Sequence, residues 1–194
     1  MITLIIPTIP PRRTLLTRAL RSVAEQTVKP EHIIIQTDWK HEGAAATRNR
    51  ALEKVTTPLV AFMDDDDTLE PEHLELLQLG MGESGADVVY PWYTVVGGTD
   101  PRPDREGKPF DADELRRGSY VTVNCLVRTE LAQRAKFSVV PGTSLDDWGF
   151  YLSLLDNGAR FHHVNKRTFN WYHWVDAETG RVGNTSGRSD RWVG

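Results

Sequence analysis

The first half of the chain alternates between two hydrophobic periods. Ile2 to Ile6 is a short apolar run of strand type, and Thr14 to Gln26 carries Leu15, Leu16, Ala19, Leu20 and Val23 on one helical face. His32 to Gln36 predicts a second strand, and Ala44 to Val55 a second helix preceded by Gly43. Leu59 to Met63 predicts a third strand. Pro71, a residue favoured at the first helical position, predicts a third helix running through Met81. Strands alternating with helices imply an α/β fold, with a parallel sheet covered by its crossovers. In such sheets ligands bind beyond the carboxyl ends of the strands.

The second half has a different rhythm. Ala86 to Tyr90, Trp92 to Val96, Val121 to Val127, Arg160 to Asn165 and Thr168 to Trp174 read as strands, and Asp146 to Asn157 as a helix. Gly97 to Pro109 is rich in Gly, Pro and charge and predicts a mobile loop. Residues 175–194 are polar and dotted with glycine, which predicts a flexible tail or lid.

Composition narrows the class. A chain of 194 residues with 39% hydrophobic and 26% charged residues suits one globular domain. The net charge of −4 argues against nucleic acid or an anionic membrane as partner. No apolar stretch approaches the ~20 residues that span a bilayer. The start, Met1 to Pro7, lacks the basic flank of a signal peptide, and the single cysteine, Cys125, excludes an intrachain disulfide. A cytoplasmic protein is expected.

The third strand runs directly into four aspartates, Asp64 to Asp67. Adjacent carboxylates repel, and burial penalises their ionised form further. A divalent cation such as Mg²⁺ or Mn²⁺ relieves both effects, prefers hard oxygen ligands and shares them with substrate phosphates. The run therefore points to a metal-dependent enzyme acting on a phosphorylated compound, with a solvated acidic turn as the alternative. Thr37 and Asp38 lie at another strand end, which favours a ligand site.

In this order the pieces resemble the family 2 glycosyltransferases of the GT-A fold, over residues 2 to 174. Thr3-Leu4-Ile5-Ile6-Pro7-Thr8 is similar to that family's first strand and nucleotide-binding turn, and Ile33 to Asp38 to its second strand. Gly43 to Leu52 resembles its glycine-then-Ala-Arg-Asn segment, Val60 to Asp67 its strand ending in Asp-x-Asp-Asp, and Leu145-Asp146-Asp147-Trp148 its Glu-Asp pair, with Asp146 in place of Glu. The resemblance implies a GT-A domain, Rossmann-like, with a mixed, mostly parallel sheet flanked by helices. Residues 1–96 would form the nucleotide-sugar half and 97–174 the acceptor half.

The resemblance also implies a chemistry. Sugar transfer passes through an oxocarbenium-like state while charge builds on the departing diphosphate, which a bound cation stabilises. Strand alternation would turn Asp64 and Asp66 to one site and Asp65 and Asp67 elsewhere. Asp66 and Asp64 are then the expected metal ligands, joined by His173. Pro7, Thr8, Asp38, Arg48, Asp64 and Asp65 are the expected contacts to the nucleotide, Asp38 taking a uracil N–H and Arg48 facing base or diphosphate. Asp65 and Asp67 read equally as solvated charge or as a helix cap. Asp147 is the candidate general base, with Asp146 as the other possibility, and helix N-capping is the competing use of both. Trp148 suits either an acceptor sugar or the core; His162 and His163 read as structural.

The whole describes an inverting, non-processive transferase using Mn²⁺ or Mg²⁺ and a nucleotide sugar, most simply a UDP-sugar, with the acceptor unspecified. Arg188 to Trp192 matches the Gln-x-x-Arg-Trp signature of processive synthases at two residues only. Arg181, Arg188 and Arg191 could instead close over the diphosphate. Two other classes compete. Asp64 to Thr68 also fits Asp-x-Asp-x-Thr, the motif of haloacid dehalogenase phosphatases, with Asp64 as nucleophile. A non-catalytic sugar-nucleotide or glycan-binding module is the other.

Overall fold

The computed structural model describes residues 1–100, 103, 108–143, 145–172, 174, 175, 182 and 183. Most of the tail predicted at 175–194, including Arg181, Arg188 and Arg191, lies outside the described residues, as do His173 and much of the loop predicted at 97–109.

The apolar run at the start forms β1 (Ile2–Thr8), buried along its whole length. It pairs in parallel with β2 (His32–Thr37) on one side and β3 (Leu59–Phe62) on the other. Helix α1 (Arg13–Ala24) and helix α2 (Ala44–Leu52) form the crossovers. After β3 come β4 (Thr68–Leu69), α3 (His73–Ser84), β5 (Val88–Val96), α4 (Ala112–Arg117), β6 (Leu126–Arg128), α5 (Thr129–Ala135), α6 (Asp146–Asp156) and β7 (Phe161–Tyr172). Beyond β7, β8 (Trp174–Val175) pairs with β9 (Val182–Gly183) in a separate ribbon.

The main sheet has the order β2-β1-β3-β6-β5-β7-β4. β6 is antiparallel to both its neighbours and β4 is antiparallel to β7, while β5 and β7 run parallel. The sheet is therefore mixed and mostly parallel. Successive strand residues face opposite layers. Ile2, Leu4 and Ile6 pack with Ala19 and Val23 of α1 and with Leu74 and Leu77 of α3. Ile5, Val60 and Phe62 face the other layer, where α2, α4, α5 and α6 contribute Leu52, Leu115, Ala132 and Phe150. Phe137 stacks on Phe150 at 4.0 Å, and Phe62 meets both edge-on.

The departures from the predicted elements have local causes. The two strands expected around Pro91 are one strand, β5, with register shifts at Pro91–Trp92 and Trp92–Tyr93, because proline cannot donate to the ladder. The strands expected at Arg160–Asn165 and Thr168–Trp174 are likewise joined in one strand, β7, which ends at Tyr172, while Trp174 belongs to β8. In contrast, the strand expected at Val121–Val127 shrinks to β6. Val121, Val123 and Cys125 are buried without belonging to a strand, so apolar character there reports burial alone. The third helix begins at His73 rather than at Pro71, whose carbonyl accepts the Thr27 N–H at 2.8 Å. Helices α4 and α5 were not anticipated, although Asp111 caps α4 by accepting the Glu114 N–H. No helix among the described residues is long and apolar enough to cross a membrane.

One close approach ties the second half to the site described below. A Cβ at Gly149, in the first turn of α6, would lie 1.9 Å from the Ser138 carbonyl oxygen. Overpacking typically costs ~1–3 kcal/mol. Gly149→Ala is expected to lower the melting temperature by roughly 4–8 °C for a loss of ~2 kcal/mol. A thermal scan checks this; an unchanged midpoint would mean that the backbone at Ser138 yields freely.

Candidate active site

The carboxyl ends of β1, β2 and β3 lie side by side, and each presents polar groups. Pro7 and Thr8 close β1 and are buried. The Thr8 hydroxyl donates to Asp65 Oδ2 at 2.6 Å, and its carbonyl accepts the Asp38 N–H at 2.9 Å. Asp38 is itself buried and organises the turn that follows β2. Its Oδ1 accepts the Glu42 N–H at 3.1 Å and Arg50 Nη2 at 3.4 Å, and its Oδ2 accepts the Gly43 N–H at 2.8 Å. Burial alone would raise this carboxyl, but the two N–H groups and Arg50 outweigh it, so Asp38 titrates below its ordinary range. Gly43, at φ +89°, supplies the backbone conformation that starts α2.

The aspartate run does not continue the alternation of β3. The strand ends at Phe62, and the Asp67 N–H bonds back to the Asp64 carbonyl at 3.3 Å, so the four residues form a turn. The reading of Asp65 and Asp67 as solvated charge or helix cap is thereby corrected. Asp65, Asp66 and Asp67 are all buried, while the Asp64 side chain keeps 17% of its surface exposed.

Each carboxylate has a partner. Asp65 Oδ1 takes Arg12 Nη1 at 2.7 Å, and the same nitrogen lies 3.6 Å from Asp66 Oδ2. Arg18 Nη2 donates to the Asp66 carbonyl at 2.5 Å, and its guanidinium lies 3.7 Å from the Tyr172 ring centre. Asp67 accepts from Asn124 Nδ2 at 2.9 Å and from the Tyr172 N–H at 3.3 Å. Burial pushes the Asp65 carboxyl up further than Arg12 and Thr8 bring it down. Burial, with Asp64 and Asp66 as like-charged neighbours, drives Asp67 well above the ordinary carboxylate value.

The other half of the site comes from α2 and α6. Arg48, with a side chain only 3% exposed, donates through Nη2 to Asp64 Oδ1 at 2.5 Å and through Nη1 to Asp146 Oδ2 at 2.7 Å. Burial disfavours its charge, but Asp64 and Asp146 overcome this and raise its affinity for the proton. Asp146 and Asp147 open α6, where carboxylates suit the helix dipole. Neither is the N-cap, which is Leu145 and carries no side-chain bond, but both side chains take first-turn N–H groups, Asp146 Oδ1 accepting the Asp147 N–H at 3.1 Å. Asp147 is half-buried and accepts the Trp148 N–H at 2.8 Å. Burial first, and Asp146 beside it, push Asp147 up to about 6, against the opposing pull of Arg48.

Of the two roles open to Trp148, the structure favours the core, with Nε1 donating to the Leu115 carbonyl at 2.7 Å. Its neighbour in function is Asn49, whose side chain holds both the N–H and the carbonyl of Phe137, at 2.8 and 2.9 Å. His163 Nδ1 lies 2.7 Å from the Lys108 carbonyl oxygen, and the ring stacks on Tyr90, as suits a structural histidine. Arg12, Asn49 and Asn124 had no role assigned from sequence. Position was the only available signal for Arg12, four residues beyond the end of a strand that points at the cluster.

Two arginines thus supply part of the positive charge first expected of a metal. Among the described residues no three Asp, Glu, His or Cys side chains gather closely enough to enclose a cation. Asp64 and Asp66 offer hard oxygen donors of the kind Mg²⁺ and Mn²⁺ prefer, and each also faces an arginine, Arg48 and Arg12 respectively. The upward drive on Asp67 from those same two groups registers the local excess of negative charge.

This geometry can be set beside known proteins. The fold is similar to that of S. aureus TarS 1-349, at TM-score 0.70 and 16% identity, over 88% of this chain and 60% of that one. The same protein in complex with UDP-GlcNAc gives TM-score 0.72 and 16% identity, over 88% of this chain and 58% of that one. A longer S. aureus TarS structure gives TM-score 0.71 and 17% identity, with 88% and 36% covered. The chain therefore spans about 60% or less of the length of these neighbours, and at such identities they establish the fold. A comparison with curated proteins found no match. The family model described as glycosyl transferase family 2 matches residues 17–156, which include the aspartate turn, Arg48 and the Asp146–Asp147 pair. The match sets aside the phosphatase reading of Asp64 to Thr68. The chain belongs to glycosyl transferase family 2.

Proposed function

We propose that the chain transfers a sugar from a nucleoside diphosphate donor, a UDP-sugar, to an acceptor hydroxyl with inversion and without processivity. The observation that carries this reading is Asp147. Arg48 takes Asp146 and leaves Asp147 with no ion pair among the described residues, at a proton affinity near that of a working base. A single displacement needs one such carboxylate on the face opposite the leaving group. The S. aureus TarS complex with UDP-GlcNAc supports the choice of donor class.

The roles follow from the residues. Thr8 and the Asp38 turn form the donor side, and Asp38 Oδ2 keeps about one acceptor position for a base N–H after its bond to Gly43. Asp64 and Asp66 would hold Mg²⁺ or Mn²⁺ with the diphosphate, and that cation would stabilise charge on the departing group. Arg12 keeps Asp65 in place behind them, so Asp65 supports the turn from within. Asp147 takes the acceptor proton as its oxygen attacks.

A panel of UDP-, GDP- and dTDP-sugars, with and without Mn²⁺, tests the reading. Release of UDP from a UDP-sugar is expected. Tight binding of nucleotide sugars without release from any of them would instead support a binding module. Asp66→Ala and Asp147→Asn are each expected to reduce turnover to background while leaving a folded protein, as judged by circular dichroism. Near-normal turnover in both would contradict the mechanism.

Asp147 also sets a pH dependence. Its folded-state value of about 6 lies above its ordinary 3.8, so the folded protein binds this proton more tightly than the unfolded chain. Its contribution to stability declines as pH rises from about 4 to about 6. At pH 7.5 Asp147→Asn should therefore melt at the same temperature as the parent or higher. Activity has the opposite sign, because the base must be ionised: kcat/KM should rise about tenfold per pH unit and level off near pH 6. A profile still flat at pH 5 would exclude Asp147 as base.

A further inference from the structure

We propose that Arg48 is a positioning residue that couples the donor-side aspartate turn to the base-bearing end of α6, rather than a contact to the nucleotide. The proposal rests on the functional reading above. Arg48 is nearly inaccessible, and both its terminal nitrogens are already engaged, one with Asp64 and one with Asp146. Those partners lie 16 and 98 residues away in sequence, on segments that the donor and the acceptor would approach separately. A planar guanidinium can span two carboxylates in a fixed geometry, which a lysine ammonium cannot reproduce.

An aromatic ring backs this fork, whose buried Nε has no hydrogen-bond partner among the described residues. Its guanidinium carbon lies 5.3 Å from the Phe137 ring centre. Asn49, the next residue on α2, clamps the Phe137 backbone from both sides. Phe137 stacks on Phe150, which belongs to the same helix as Asp146 and Asp147. Adjacent residues of α2 therefore grip α6 at two points, one ionic and one through an aromatic stack. The grip on Asp146 leaves Asp147 for the acceptor, which decides between the two carboxylates.

The coupling is electrostatic as well as steric. The charged and titratable groups facing Asp147 are Asp146 on its own helix, Arg48 on α2, Asp64 on the turn after β3, and Cys125 and Tyr151 in the core beneath. Arg48 is the positive member of this set. A donor or cation that engages Asp64 would free Arg48 to act more fully on the α6 pair, so occupancy on one side would be felt at the base on the other.

The test uses Arg48→Met, Arg48→Lys, Asp146→Asn and the Arg48→Met/Asp146→Asn double variant. The readouts are UDP affinity by calorimetry without added metal, the melting temperature, and kcat/KM against pH with a UDP-sugar. In Arg48→Met we expect kcat to fall at least about tenfold, with UDP affinity changed less than about threefold. The acid limb should move to higher pH by about one unit, a tenfold effect at low pH. Asp146→Asn alone should move that limb to lower pH. The double variant should lose less than the two single losses combined, because the partners act as a unit. Arg48→Lys should not restore the parent profile.

A weakened UDP affinity with unchanged kcat would make Arg48 a donor contact and overturn the proposal. A lower melting temperature with kcat and the acid limb unchanged per folded molecule, or strictly additive losses, would reduce Arg48 to a structural residue and overturn it equally. If the parent protein releases UDP from no donor, the functional reading fails first and this proposal with it.

Discussion

Six aspartates from two distant segments share one end of the sheet, and the rest of the site is arranged around the cost of keeping them there. Carboxylates in a partly dry environment repel one another and favour the proton. Arg12 answers Asp65 and Asp66, and Arg48 answers Asp64 and Asp146. Three carboxyls are still displaced upward in proton affinity: Asp65 despite its arginine, and Asp67 and Asp147, which have no ion pair among the described residues. Asp67 lies inside and is stabilised by Asn124 and the Tyr172 N–H. Asp147 stands at the head of a helix, half-buried, where a raised proton affinity has a chemical use. In the function we propose, the same charge imbalance that makes the cluster costly suits Asp147 to act as the base.

The sheet makes this convergence possible. Parallel pairing of β1 with β2 and β3 brings Thr8, Asp38 and the aspartate turn to one edge, although they are spread over nearly sixty residues. The antiparallel β6 then reverses the chain between β3 and β5, so that α5 and α6 return to the same layer as α2. Arg48 can reach Asp146 only because α2 and α6 share that layer. The aromatic stack of Phe137, Phe150 and Phe62 beneath them fixes the spacing.

Much of the first half was legible because its elements are the ordinary kind: apolar runs ending in polar turns, and helices with one apolar stripe. The positions of Asp38 and Asp64 at strand ends followed from that pattern. The alternation argument failed because it assumed that β3 continues past Phe62, whereas a polar run without apolar partners has no reason to stay extended and folds into a turn. Val121 to Cys125 misled in the opposite way, since burial in a core does not require a strand. Arg12 and Asn124 were not legible as partners, and Asn49 only as part of the Arg-Asn segment, without its hold on Phe137. Arg12 differs from the exposed Arg13 only in which way the chain turns after β1, and that is a property of the packed molecule.

The family match makes the chain a glycosyltransferase, and the function we propose for it is displacement at a sugar carbon by a single base-assisted step. The most direct measurement is the anomeric configuration of the first-formed sugar, followed by proton NMR during turnover of a UDP-sugar with the acceptor or with water. One base at Asp147 predicts inversion relative to the donor linkage, visible before mutarotation equilibrates the product. A first product that retains the donor configuration would contradict the account.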